Sequence, residues 1–230
     1  MDKHDIVYIL KEDTPTDELR YSIRSVCENF PYNRIWFVGG KPNGITPDIY
    51  LHHVQKGDTP WQKSTSSIYR VCQDKRLTED FWLFNDDFFV MHKIDTLEPI
   101  YNGTIYQRMK EVKERWGGDT LYSIEFGRVR ELLIDEDCDT YNYAVHVPML
   151  INKKKALDTY NRYPDVPSFR CLYGNLHSVG GVNRKDVKIS DMNQEPPDTD
   201  FLSTTETSFK DGKVGEYIRN KFNTKSAYED

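Results

Sequence analysis

The chain opens with a short apolar run, DIVYIL (5–10), rich in β-branched and aromatic residues, and this predicts a buried strand. The loop KEDTPT follows. It offers Thr16 as a helix cap and sets Asp17 and Glu18 at the positive end of the helix dipole. In DELRYSIRSVCENF, Leu19, Ile23, Val26 and Phe30 recur at helical spacing. One face of this helix therefore packs on a sheet, Arg20 and Arg24 share another face, and Pro31 ends it. RIWFVGG (34–40) predicts a second strand that stops at glycines, and IYLHHV (49–54) a third. TPWQKSTSSIYRVCQD, with Pro60 in its first turn and Ile68, Val71 and Cys72 on one side, predicts the next helix. FWLF (81–84) predicts the fourth strand.

The second half is less regular. TIYQRMKEVKERW (104–116) predicts a helix ended by Gly117 and Gly118, and INKKKALDTYNRY (151–163) another that stops before Pro164. Residues 174–200 are rich in Gly, Asn, Asp and Pro and predict loops around a short DVKI strand. The closing FLSTTETSFKDGKVGEYIRNKF couples a polar Ser/Thr run to a final helix, an arrangement suited to a lid over a site. Strands alternating with helices predict an α/β fold with a mostly parallel sheet flanked by helices. There is no internal repeat or low-complexity tract, so 1–230 is expected to form a single domain.

Composition adds limits. Hydrophobic residues make up 37% and charged residues 30%, which is the balance of a globular chain with a hydrated surface. The 15 tyrosines suit a concave site that stacks rings or sugars. Cys27, Cys72, Cys138 and Cys171 lie far apart without CxxC spacing, which predicts reduced thiols rather than a zinc site or disulfides. With no apolar run long enough to span a bilayer and no charged-then-apolar leader, the expected location is cytoplasmic. The net charge of -6 disfavours long-range attraction to nucleic acid, but it is unevenly spread. Residues 119–139 carry seven acidic and two basic side chains, and 151–190 carry eight basic and three acidic. A phosphate-bearing ligand would favour the second stretch.

The strongest chemical signal is FWLFNDDFFVMH (81–92), where Asn85, Asp86 and Asp87 sit between two very apolar runs. Carboxylates there lose hydration, and a partner, a metal or a catalytic role must compensate. In an open α/β sheet the ligand crevice lies beyond the carboxyl ends of the strands, which is where these residues fall. Two carboxylates there can bind Mg²⁺ or Mn²⁺ through oxygen, and the ion can bridge nucleotide phosphates. His52 and His53 point to opposite faces of a strand and make a poor joint metal site.

Five segments, ELRYSIRSV (18–26), NRIWFVGG (33–40), LTEDFWLFNDDFFV (77–90), HVPMLINKK (146–154) and SFRC (168–171), resemble in order the blocks of the Stealth family. That family includes bacterial capsule sugar-phosphate transferases and the lysosomal-enzyme N-acetylglucosamine-1-phosphate transferase, and its fold is similar to the Rossmann-like GT-A fold of nucleotide-sugar transferases. The resemblance implies a nucleotide-sugar-binding half over 1–100 and an acceptor and catalytic half over 101–230. It makes Asp86 and Asp87 the metal and donor carboxylates with Asn85 beside them, and it makes His146 and Arg170 catalytic with Asp87. A neutral imidazole at His146 can accept the acceptor's proton, and the Arg170 guanidinium can hold phosphate oxygens. Asp5 is a candidate for the nucleobase or ribose, Arg20 and Arg24 for the diphosphate or for surface ion pairs with Glu18 and Glu28, and Lys63 with Ser64 and Thr65 for the donor.

Two departures shape the expected chemistry. The family's VYTWVDG type of segment is VYILKED here, and its glutamate upstream of NDD falls on SSIYRV, with Ile68 and Tyr69 nearest. Without that carboxylate, the expected reaction is metal-dependent transfer of a sugar from a nucleotide diphosphate-sugar to a hydroxyl on a glycan, a protein or a modified DNA base. Sugar-1-phosphate transfer and a carbohydrate- or nucleotide-binding module without catalysis are the alternatives.

Overall fold

The computed structural model describes residues 2–12, 16–165 and 168–230, and the side chain of the expected cap Thr16 lies outside them. β1 (His4–Leu10), α1 (Thr16–Asn29), β2 (Tyr32–Gly39), β3 (Ile49–His52), α2 (Pro60–Cys72) and β4 (Asp80–Phe84) follow the expected order. β1 lies between β2 and β4, β3 flanks β2, and all three pairings are parallel. Leu19, Ile23, Val26 and Phe30 of the first helical segment are buried on one face of the sheet with Ile6 and Tyr8. Ile68, Val71 and Cys72 of α2 are buried on the other with Val7 and Trp36.

α2 starts where its sequence directs. The Thr59 side chain accepts from the backbone N–H of Gln62, Gln62 returns a bond to the Thr59 N–H, and Pro60 follows the cap. At the end of β2 the glycines are required. Gly39 has φ +105°, and a Cβ there would lie 2.2 Å from the carbonyl oxygen of Leu10. One at Gly40 would lie 1.9 Å from that of Lys11.

Beyond β4 the chain departs from expectation. After β5 (Phe88–Val90), β6 (Ile100–Tyr101) and α3 (Ile105–Trp116) comes α4 (Leu121–Asp135), in the acidic stretch where no helix was expected. Residues 149–163 split into β7 (Met149–Asn152) and α5 (Lys153–Arg162). β7 closes the main sheet antiparallel to β4, and Asn152 caps α5 by accepting from the N–H groups of Lys154 and Lys155. α6 (Phe169–Leu176), β8 (Val182–Asn183), β9 (Lys188–Ile189) and β10 (Phe201–Thr204) come next, followed by α7 (Glu206–Asp211) and α8 (Lys213–Lys221). The FLST segment is therefore a fully buried strand and not a lid, antiparallel to β5 and parallel to β9.

The four cysteines are free thiols, as expected. Among the described residues no helix is long and apolar enough to cross a membrane.

Candidate active site

β4 ends at Phe84, and a tight turn, closed by the Phe88 N–H on the Asn85 carbonyl at 3.3 Å, carries Asn85, Asp86 and Asp87 into β5. The two aspartates face different surroundings. β10 places Ser203 beside both Phe88 and Lys188, so the Asp87 carboxylate receives the Lys188 ammonium at 2.5 Å and the Ser203 hydroxyl at 2.8 Å. Asp86 instead lines an open cleft. Burial, and then the charge of Asp87, push its carboxyl up to about 6, against the pull of Lys11 and Lys188.

A third carboxylate joins them. Glu18, in the first turn of α1, accepts the Thr204 hydroxyl at 2.6 Å. Burial raises its carboxyl to about 7, with Asp87 and Asp86 adding to the shift and Thr204 opposing it. The sequence placed Glu18 at the helix dipole and gave no sign of this neighbourhood, because Thr204 is 186 residues away.

Two clefts meet at the carboxyl end of the sheet. The first, about 520 Å³, is lined by Lys11, Gln55, Lys63, Ser64, Asn85 and Asp86. The second, about 220 Å³, is lined by Ser64, Asn85, Tyr122, His146, Ser168 and Arg170. Ser64 and Asn85 belong to both, so the clefts adjoin. The fold thus brings Lys63, Asn85 and Asp86 together on one side and His146 and Arg170 on the other.

His146 is held by a partner that the sequence did not reveal. Its ring Nδ1 lies 2.7 Å from one Asp186 oxygen, and its backbone N–H donates to the other at 2.9 Å. Burial acts to raise the Asp186 carboxyl, but His146 outweighs it and holds that group below its ordinary value. Asp186 therefore stays ionised, fixes the ring and leaves Nε2 as the ring nitrogen it does not engage.

Arg170 reaches this centre from α6 and spends its donors on the backbone. Its terminal nitrogens donate to the carbonyls of Val145 (3.1 Å), Val147 (2.7 Å) and Leu83 (3.1 Å), and its guanidinium lies over the Phe88 ring. Burial pulls its pKa down to about 10. Arg170 ties the His146 segment to the end of β4.

The other candidates lie apart. Asp5 is fully buried at the amino end of β1, where its carboxylate accepts from Asn33, Arg34, Trp36 and the Thr78 backbone. Phe81 is its sheet neighbour, so it sits at the end of the sheet opposite Asp86. Arg20 and Arg24 pair with neither Glu18 nor Glu28: both hold Glu229, at 3.0 Å and 2.7 Å. Among the described residues no three His, Cys, Asp or Glu side chains gather as a ready metal-binding group.

No protein-family model matches the chain, and no curated protein sequence matches it. Solved structures similar to it include the galactosyltransferase LgtC in complex with donor and acceptor sugar analogs, at 12% identity and TM-score 0.43, covering 98% of this chain and 85% of that one. The apo form of the glycosyltransferase GlyE of Streptococcus pneumoniae TIGR4 is similar at 10% identity and TM-score 0.33, over 61% of this chain and 44% of that one. These loose overlaps leave function to be read from the chain's own residues.

Proposed function

We propose that the chain is a glycosyltransferase that moves a sugar from a nucleotide diphosphate-sugar to an acceptor hydroxyl. The observation that carries this reading is the junction of the two clefts at Ser64 and Asn85, with Asp86 on one side and the His146–Asp186 pair on the other. The larger cleft suits a nucleotide diphosphate, with Lys11 and Lys63 near its phosphates.

The chemistry of Asp86 fits a hard divalent cation. Burial and the neighbouring Asp87 charge raise its carboxyl, a cost that a bound cation would relieve, and Mg²⁺ binds through one or two carboxylates with substrate phosphates completing the shell. Asp86 would hold Mg²⁺ or Mn²⁺, which when bound supplies neutralisation of the departing diphosphate. Asp87, occupied by Lys188 and Ser203, fixes the turn that presents Asp86.

His146 Nε2 accepts the proton of the acceptor hydroxyl as its oxygen bonds to the anomeric carbon, and the bond from that carbon to the diphosphate breaks. Asp186 stabilises the imidazolium that results. Arg170 keeps His146 in register with the end of β4.

A second reading, sugar-1-phosphate transfer, draws on the Stealth-like blocks. Against it, that family's upstream glutamate falls on Ile68 or Tyr69, neither a carboxylate, and Ile68 lines the second cleft. The released nucleotide separates the two. Incubation with a panel of nucleotide sugars, Mn²⁺ and hydroxyl acceptors is expected to release nucleoside diphosphate on mass spectrometry. Nucleoside monophosphate would select the second reading, and binding without release would select a non-catalytic module.

A further inference from the structure

Behind the His146–Asp186 pair lies a third cavity, of about 450 Å³, which shares no lining residue with the cleft of Asp86. Its walls are aliphatic and aromatic: Ile94, Leu97, Ile100, Val145, Val147 and Phe201. A recess of about 80 Å³ shares Leu97, Ile100, Val145 and Val147 with it and is lined also by Trp82. The indole Nε1 of Trp82 is buried and has no hydrogen-bond partner among the described residues, an unsatisfied donor that calls for an acceptor atom.

The charges around the mouth are unequal in a way that matters. Three acids line it as well: Asp186 faces His146, Asp200 faces His92, and Glu98 is the third. The two cations, Arg184 and Lys185, are exposed and make no ion pair among the described residues. The mouth therefore presents two cations without a carboxylate partner among the described residues, over an apolar interior.

The cavity also communicates with the chemistry. Asp186 lines it while holding His146, and Val145 is a wall residue of both this cavity and the cleft containing His146.

We propose that this cavity binds the acceptor, and that the acceptor is an amphiphile: an apolar body bearing a hydroxyl or ether oxygen, with an anionic phosphate or carboxylate that meets Arg184 and Lys185. Its role as acceptor rests on the transferase reading; its binding does not. Apolar contact supplies affinity, and the two cations and the Trp82 indole select for charge and for an oxygen.

The test is a binding measurement on the full chain, with 6-hydroxyhexyl phosphate as probe and ¹H–¹⁵N NMR following the Trp82 indole N–H and the His146 ring. Inorganic phosphate and 1,6-hexanediol serve as the charge-only and body-only controls. The expected result is saturable binding at least tenfold tighter than either control, with both signals shifted. Because both cations are exposed, a doubly substituted Arg184→Glu, Lys185→Glu chain keeps its fold, and its affinity is expected to fall at least tenfold. No binding, equal binding by either control, or unchanged affinity in the double variant would overturn the proposal. Titrating a nucleotide sugar into the same samples reports separately on the donor cleft, so failure of the transferase reading is distinguishable from failure of this one.

Discussion

Asp86 and Asp87 are neighbours in sequence with opposite electrostatic situations. Asp87 has its countercharge inside the protein, so Asp87→Asn leaves the Lys188 ammonium without its anion. Urea denaturation is expected to show a loss of about 1–3 kcal/mol for that variant. Asp86 is desolvated and lies beside the charge of Asp87, and Asp86→Asn is expected to fold at least as stably as the natural chain. Glu18 gives a pH signature. Its folded pKa of about 7 lies above the ordinary 4.5, so the folded state binds the extra proton between those values. Stability therefore falls as pH rises from about 4.5 towards 7. Glu18→Gln removes that fall and is expected to be more stable than the natural chain at pH 8 by roughly 1 kcal/mol after allowance for partial exposure, with no gain at pH 4, as thermal melts would show. The aspartates were legible because apolar runs flank them. Glu18 and Asp186 were not, since their surroundings come from Thr204 and His146, distant in the chain.

The elements that were legible are those with a continuous or a one-faced apolar pattern. β1, β2 and β4 are short apolar runs buried on both faces of the sheet, whereas α1 and α2 each bury one face. α4 escaped because its apolar residues encircle it: Phe126, Val129 and Leu133 are buried, whereas Leu121, Ile124 and Ile134 are exposed. Ile151 and Asn152, the end of β7, were read as the start of a helix because Asn152 both ends the strand and caps α5. α6 is short, begins after Ser168 in the left-handed region at φ 58°, and contains Gly174, where a Cβ would strike the Tyr143 ring at 2.4 Å. That helix matters because it delivers Arg170. A lysine there retains the charge but lacks the planar fork that spans three carbonyls. Arg170→Lys is expected to lower turnover at least tenfold with donor affinity unchanged, since it loosens the His146 segment and leaves the Asp86 cleft intact. Paired turnover and donor-binding measurements check this.

At the scale of the whole molecule, the carboxyl-terminal tail is locked onto α1 and the segment before β3. Glu229, with its side chain fully buried, receives Arg20 and Arg24, while Tyr228 donates to Asp48 and its carbonyl accepts from the Thr46 N–H. No local pattern foretold this, because the partners lie 205 and 209 residues apart. Burial acts to raise the Glu229 carboxyl, but Arg24 outweighs it and brings it down to about 2. The stabilisation is present above the ordinary 4.5 and is lost as pH falls towards 2. Glu229→Gln is expected to cost about 2–4 kcal/mol at pH 7 and progressively less in acid, which urea denaturation across pH would show. The cleft on which the proposed function depends lies at the carboxyl end of the sheet. Its most direct test is calorimetric titration of the natural chain and Asp86→Asn with a panel of nucleotide diphosphate-sugars in Mn²⁺. At least one donor is expected to bind the natural chain and to bind Asp86→Asn at least tenfold more weakly; no binding by any donor, or equal binding by both chains, would contradict the account.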